Sequence, residues 1–284
     1  MALAAYGIWG LLPIYLQLLK HVPPIELLGW RIVFTLPFCL LLITTRKQTG
    51  ELLQVLRNRK TLLALFLSAA LIGANWLIFL IAVAEKHVLA TSLGYYINPL
   101  VSVLFGTALL GERLSRLQWS AVVVAGAGIA LLIAGALDTL AISLSLAFSF
   151  ALYGLVRKKT AVTAIAGLTV EALVLYPFAL ALVVWYAFQP AGPSFGQEWD
   201  TSLYLIGSGI ITGLPLMMFA AAARKLTLSA LGFAQYLAPT LSFLASITLL
   251  GEELDSQRLV CFALIWVAVG LFSYDMVRQR RNAA

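Results

Sequence analysis

The stretch "GYYINPLVSVLFGTALLGE" (residues 94–112) reads as a membrane helix broken near its middle by Asn98-Pro99. It recurs 140 residues later as "AQYLAPTLSFLASITLLGE" (residues 234–252). Tyr96, Pro99, Ser102, Leu104, Leu109, Leu110, Gly111 and Glu112 return as Tyr236, Pro239, Ser242, Leu244, Leu249, Leu250, Gly251 and Glu252, eight identities in nineteen positions. Apolar helices share fewer by composition alone, and Pro and Gly-Glu are not lipid filler, so the match marks an internal repeat. The same offset carries Pro37-Phe38 onto Pro177-Phe178, Gly73 onto Gly213, Phe79 onto Phe219 and Ala90 onto Ala230. Ahead of Pro37 it becomes 144, bringing Trp9-Gly10 onto Tyr153-Gly154.

The repeat lies in a bilayer. Charged residues make up 11% of the chain and apolar ones 62%, too little polar surface for a water-soluble globule. Ten apolar runs are long enough to span: about 2–19, 27–45, 61–84, 88–110, 117–134, 140–156, 167–188, 201–223, 229–250 and 258–277. The first carries Pro13 and Gln17 and no cleavage-site pattern, so it reads as a retained span. The predicted fold is all-α, ten transmembrane helices in two five-helix units, residues 1–136 and 137–284. Five is odd, so the second unit enters the membrane from the opposite side, which makes the repeat inverted, as in secondary transporters.

The net charge of +7 does not point to nucleic acid, because it is sorted by face. With the N-terminus in the cytoplasm, fifteen Lys and Arg fall inside, among them Arg157, Lys158 and Lys159, against three outside. Arg31 lies within a span. Cys39 and Cys261 sit in spans, and His21 and His87 in short loops, so neither a disulfide framework nor a metal site is expected. With no phosphate loop and no nucleophile constellation, no cofactor is expected and the chain reads as a transporter, not an enzyme. A membrane enzyme or an assembly scaffold is the alternative.

"LGERLSRLQWSAVVVAGAGIALL", "LLGEELDSQ" and "FSFALYGLVRKK" resemble the drug/metabolite transporter superfamily, EamA type. Within it, "GYYINPLVSVLFG", "LYGLVRKK" and "GFAQYLAPTLSFL" are most similar to the RarD proteins. The resemblance covers essentially the whole chain. It implies ten helices in two inverted repeats, a bacterial inner-membrane location, a central cavity between the halves and transport of small organic metabolites.

Candidate site residues fall into three groups. Tyr6, Trp9, Asn75, Trp76, Tyr95, Tyr96, Asn98, Tyr153, Gln235 and Tyr236 recur near span centres and together suggest an aromatic-walled cavity with a few hydrogen-bonding groups. Taken singly, each reads first as helix-to-helix glue. Arg31 and Glu171 occupy the same repeat position with opposite charge, about four residues into their spans and about 6 Å deep. Arg31 suits the attraction of an anionic group and Glu171 suits proton coupling, or both only snorkel to water. Pro99 and Pro239 strip the helical donors from the Tyr95 and Gln235 carbonyls at midplane, where a freed acceptor must face protein or a wet cavity, so both read as hinges.

Glu112 and Glu252, behind helix-ending glycines, read as gate latches or as corners paired with Arg113, Arg116 or Arg258. Gly126, Ala130 and Ala134 form a small-residue stripe for packing within the chain, with a homodimer face as the alternative. The outer loop Gln189 to Asp200, rich in Gly and Pro, reads as a flexible connector. Partners are therefore the lipid bilayer and a small-molecule substrate.

The charge count makes both termini cytoplasmic. A reporter fused after Arg281 is expected to be active only in its cytoplasmic form, and periplasmic activity would overturn the ten-span reading.

Overall fold

The chain is seen in a computed structural model that describes residues 1–133, 137–249 and 256–283. The boundary drawn between the two units, Ala134 of the small-residue stripe, and Gly251 and Glu252 of the second repeat lie outside the described residues. The helices are α1 (Ala2–Gln17), α2 (Pro24–Thr45), α3 (Thr49–Arg57), α4 (Arg59–Ala84), α5 (Val88–Leu110), α6 (Arg116–Ile133), α7 (Leu140–Lys159), α8 (Ala164–Ala187), α9 (Trp199–Ala223), α10 (Leu228–Gln235), α11 (Leu237–Leu249) and α12 (Ser256–Ala283). Among the described residues nine stretches are long and apolar enough to cross a bilayer, with α10 and α11 counted as one, and α1 adds a tenth apolar helix of 16 residues. Phe178 and Val123 stand exposed well inside their helices, as lipid-facing side chains must. The fold is all-α, with ten spans in two inverted five-helix repeats.

Local chemistry sets the helix starts. Pro24 opens α2 with its preset φ, and Thr163 and Thr227 cap α8 and α10 by accepting from Ala166 N and Ala230 N. α2 and α8 begin 140 residues apart, so the change of offset to 144 falls before α2 and not at Pro37. Arg31 and Glu171 are each the eighth residue of their helix. That puts them about 10 Å in at 1.5 Å per residue, deeper than the sequence implied.

Two connections differ from expectation. The stretch after α2 forms α3, whose Glu51 carboxylate accepts from Thr163 N (2.8 Å) and Thr163 Oγ1 (3.0 Å) and so anchors the start of α8. The loop before α9 is packed against α2. Glu26 accepts from Ser194 N (2.6 Å), Ser194 Oγ (2.7 Å) and Trp30 Nε1 (3.0 Å), and Phe195 sits 4.7 Å from the Trp30 ring. A hollow of about 550 Å³ opens under this loop, lined by His21, Glu26, Trp185 and Glu198 among others.

Small residues decide the packing between the repeats. The α6 face that meets α12 is Ala121, Ala125 and Gly128, set against Cys261, Leu264, Ile265 and Ala268. Gly126 and Ala130 lie off that face, because helical spacing turns them away.

At the centre, the span made of α10 and α11 serves two partners. α10 lies on the later half of α5, and a Cβ on Gly232 would stand 2.9 Å from both the Pro99 carbonyl oxygen and Ser102 Cβ. Past the break at Tyr236, α11 leaves α5 and packs on α1, where Ser242 Oγ donates to the Gly10 carbonyl at 2.9 Å. The repeat counterpart of Gly232 is Ser92, on the first half of α5, and it is exposed. Among the described residues the packing is thus less symmetric than the sequence: the two spans touch extensively along the half nearer the basic loops and sparsely along the other.

Gly232→Leu is expected to destabilise the protein by about 1–3 kcal/mol through overpacking against Pro99, while Ser92→Leu stays within about 0.5 kcal/mol. Thermal unfolding of the two variants in detergent checks the contrast, and equal effects would show that the crossing is not tight.

Candidate functional site

The functional geometry follows one line of polar groups through the bundle. Near the sparsely charged face, Arg31 on α2 donates from Nε to Thr212 Oγ1 of α9 at 2.9 Å, with its guanidinium carbon 5.9 Å from the centre of the Trp76 ring. Tyr15 and Tyr95 are near enough to interact with it electrostatically. Among the described residues no carboxylate lies within ion-pair distance of Arg31.

Below Trp76 a narrow void runs between α2, α4, α8 and α9, lined by Ile32, Thr35, Ile72, Trp76, Leu175 and Glu171, among others. It offers about 10 Å³ to the centre of a water molecule, room for roughly one water. The cargo-sized cavity expected between the halves is therefore closed down here.

At the end of this void sits a buried charge cluster. Glu171 accepts from Ser68 Oγ of α4 and, at 3.3 Å, from Tyr153 Oη of α7. Arg157, also on α7, brings Nε to 3.5 Å from Glu171 Oε1, with both side chains 1–2% exposed. Arg157 is the largest side chain in the protein with essentially no exposure. Its Nε and Nη1 have no hydrogen-bond partner among the described residues. Gly167 makes the slot, since a Cβ there would collide with the guanidinium.

This corrects the placement of Arg157 as an ordinary cytoplasmic cation. Its Cα lies at the basic end of α7, but the side chain folds back into the bundle to meet Glu171. Lys158 and Arg224 do stay at the surface, where they bind the Ala223 and Leu226 carbonyls and the Val162 carbonyl, closing helix ends.

An aromatic wall backs the cluster. Tyr153 stacks on Phe219 at 5.7 Å and 15°, and Trp9 stands 5.7 Å from Phe150 and 5.9 Å from Phe219. Tyr6 joins this wall and donates to the Leu231 carbonyl at 3.2 Å. Trp9, Trp76, Tyr153, Arg31, Tyr95 and Glu171 thus lie along one line of contacts through the bundle.

The other candidates do not join it. Asn75 Nδ2 donates to the Leu146 carbonyl (2.9 Å) and Asn98 Nδ2 to the Ala147 carbonyl (2.7 Å), so the two amides hold α7 from α4 and α5. Tyr96 and Tyr236 lie in the apolar cluster with α6 and α12, Tyr96 edge-on to Phe262 and Tyr236 beside Phe233. Gln235 is buried at the end of α10. Pro99 stays inside a continuous α5, whereas Pro239 stands in the first turn of α11, just after the break.

Glu112 makes its contacts across the repeats and not with the neighbouring arginines. Its carboxylate accepts from Leu228 N (2.5 Å), Ser229 N (3.0 Å) and Ser229 Oγ (2.7 Å), closing the N-terminus of α10 from the other repeat. Helix N-termini hold orphan donors and a positive partial charge, so a carboxylate satisfies them well.

The EamA-like transporter family profile matches residues 1–134. Protein RarD of Escherichia coli is 42% identical over 285 residues, covering 100% of this chain and 96% of that protein. An uncharacterized transporter of Vibrio cholerae is 40% identical, covering 100% and 94%, and the chloramphenicol-sensitive protein RarD of Pseudomonas aeruginosa is 32% identical, covering 100% and 96%. A solved crystal structure at 17% identity superposes with a TM-score of 0.75 over 96% of this chain and 95% of its own, a likeness of fold.

Breaking a buried pair strands a charge. Arg157→Gln alone is expected to cost about 3–5 kcal/mol of stability, while Arg157→Gln with Glu171→Gln recovers most of it, because neither charge is then left unpaired. Thermal unfolding of the single and double variants measures this, and additive losses would refute the pairing.

Proposed function

The chain belongs to the EamA-like transporter family, and we propose that it is a secondary transporter moving small organic solutes across the bacterial inner membrane by alternating access. It is a multi-pass membrane protein, and both termini are assigned to the cytoplasm on the charge count.

One observation carries the mechanism: two repeats with matching sequence pack differently at their two ends. On the basic face the later half of α5 meets α10, Gly232 is pressed on Pro99, and Glu112 closes the α10 N-terminus. At the opposite face, among the described residues, the symmetry-related contact of α5 with α11 is much sparser. Exchanging the two arrangements would close the outer end and open the inner one around the same Arg31 to Glu171 path. Such an exchange between inverted repeats is the general logic of alternating access. The break at Tyr236 lets α10 and α11 move separately, and Pro99 weakens α5 at the corresponding point.

The aromatic wall of Trp9, Phe150, Tyr153 and Phe219 suits a small amphipathic or aromatic solute, with the guanidinium and carboxylate at either end of the void fixing its orientation.

A solute screen in proteoliposomes, with and without an imposed pH gradient, tests the transport itself. For the mechanism, Ser229→Cys and Ser92→Cys are introduced singly into a chain whose Cys39 and Cys261 are replaced by alanine. At rest an impermeant maleimide is expected to label Ser92→Cys quickly and Ser229→Cys slowly. With a transported solute present, the two rates should converge as Ser229 becomes exposed. Rates that never change under turnover would rule alternating access out.

A further inference from the structure

The charges along the path do not balance. Along this path, among the described residues, two guanidiniums, Arg31 and Arg157, face one carboxylate, Glu171, while the buried carboxylates of Glu26 and Asp275 are held elsewhere, by Ser194 and by Ser115. Intramembrane charges normally pair or face water.

Repeat symmetry locates the surplus. Arg31 on α2 reaches a hydroxyl on α9, Thr212, and its counterpart Glu171 on α8 reaches a hydroxyl on α4, Ser68. Only the second end receives a countercharge, because α7 supplies Arg157 where the 144-residue offset gives α1 an uncharged Pro13.

The Arg157–Glu171 contact is itself incomplete. At 3.5 Å the Nε–Oε1 approach is too long for a good hydrogen bond, and Nε and Nη1 are buried without an acceptor. A guanidinium offers a planar fork suited to a two-oxygen anion. Beside this fork lie the Tyr153 and Phe219 rings, stacked face to face, with Trp9 and Phe150 behind them.

We propose that the path takes a small aromatic anion whose carboxylate or sulfonate head replaces Glu171 on Arg157 while Glu171 takes up a proton, an inference that rests on the transport reading above. The anion and the proton enter together, so the buried cluster keeps its net charge throughout. That is the condition for avoiding a large desolvation penalty on either step. Glu171 then acts as an internal stand-in for the cargo, holding Arg157 between cycles. Arg31, with no carboxylate of its own, draws the anion toward the void past Trp76. The groups facing Glu171 are Arg157 and Tyr153 from α7, Ser68 from α4 and the Cys39 thiol from α2, while α9 presents the apolar Leu216 to the adjoining void. Glu171 is therefore the group placed to exchange the proton.

Benzenesulfonate and benzenesulfonamide test this with the full chain in detergent, because they differ in charge but hardly in shape, and the sulfonate stays charged at every pH used. Binding is read from ligand-induced thermal stabilisation. The wild type is expected to bind the sulfonate about tenfold more tightly at about pH 5.5 than at about pH 8, and to ignore the sulfonamide. Glu171→Gln should bind it equally at both pH values. Arg157→Gln with Glu171→Gln, which keeps the cluster neutral and foldable, should bind about tenfold more weakly than Glu171→Gln alone. Sulfonamide binding equal to sulfonate, no sulfonate binding by the wild type, or undiminished binding by the double variant would each overturn the assignment. The same probes in proteoliposomes separate the two readings. Sulfonate that binds but is never moved defeats transport and leaves the anion site standing, whereas sulfonamide moved as fast as sulfonate defeats the anion site and leaves transport standing.

Discussion

A guanidinium and a carboxylate held together away from water, Arg157 and Glu171, tie α4, α7 and α8 together. Burying two charges is expensive even when they pair, and an apolar pair of the same volume would be as stable or more so. The surroundings are built to make the arrangement tolerable. Gly167 leaves the slot into which the guanidinium folds, Ser68 and Tyr153 donate to the carboxylate, and α3 ties the start of α8 through Glu51. A cluster that contributes little net stability yet constrains three helices is a candidate functional site on physical grounds.

The bilayer explains why the repeats can differ without unfolding. Within hydrocarbon every backbone group must be satisfied, so each span stays helical wherever its partners move, and rearrangement is confined to where helices already end or break. The span of α10 and α11 has such a break, at Tyr236, and its halves follow different neighbours: α10 follows α5 through Gly232, α11 follows α1 through Ser242. α5, with Pro99 at the matching position, remains one helix because both of its halves are supported, by α7 through Asn98 and by α10. The same proline therefore has two outcomes, set by tertiary packing and not by its own ring.

What the sequence made legible is what is local or self-similar. Span lengths, the inverted repeat and the prolines are visible because hydropathy and internal identity need no partner to be read. The misreadings of Arg157, Glu112 and the outer loop each involve a side chain whose partner is far along the chain. Arg157 looked like a loop cation beside Lys158 and Lys159, though Gly167 and Glu171, four apart on one helical face, mark a slot next to an acid. Glu112 was weighed against neighbouring arginines, while its partners are the amides of Leu228 and Ser229 in the other repeat. Tyr96 and Tyr236 carry the right chemistry for a binding wall, but their helical phase turns them toward α6 and α12. An outer loop rich in Gly and Pro looked flexible, because Glu26, which holds Ser194, lies 168 residues earlier.

The two halves share a fold but not their charges, and on the proposed anion reading that difference would give the path a direction. If both ends carried the same ion pair, exchanging the two packings would return an equivalent molecule, and neither end would be distinguished energetically. Here the Arg31 end has a hydroxyl partner in Thr212 and no acid among the described residues, while the Glu171 end has both a hydroxyl partner in Ser68 and a buried guanidinium. The closed contact lies on the basic face, where Glu112 adds a carboxylate across the repeats. Arg31 stands nearer the other face, where the described parts of α5 and α11 touch only sparsely. A negative solute entering from that side would meet attraction first and a charge already occupied afterwards, so it could advance only by displacing Glu171. Closure behind it and release of the carboxylate ahead of it would then be linked by one proton, through a pair of side chains that the symmetric fold alone would not have required.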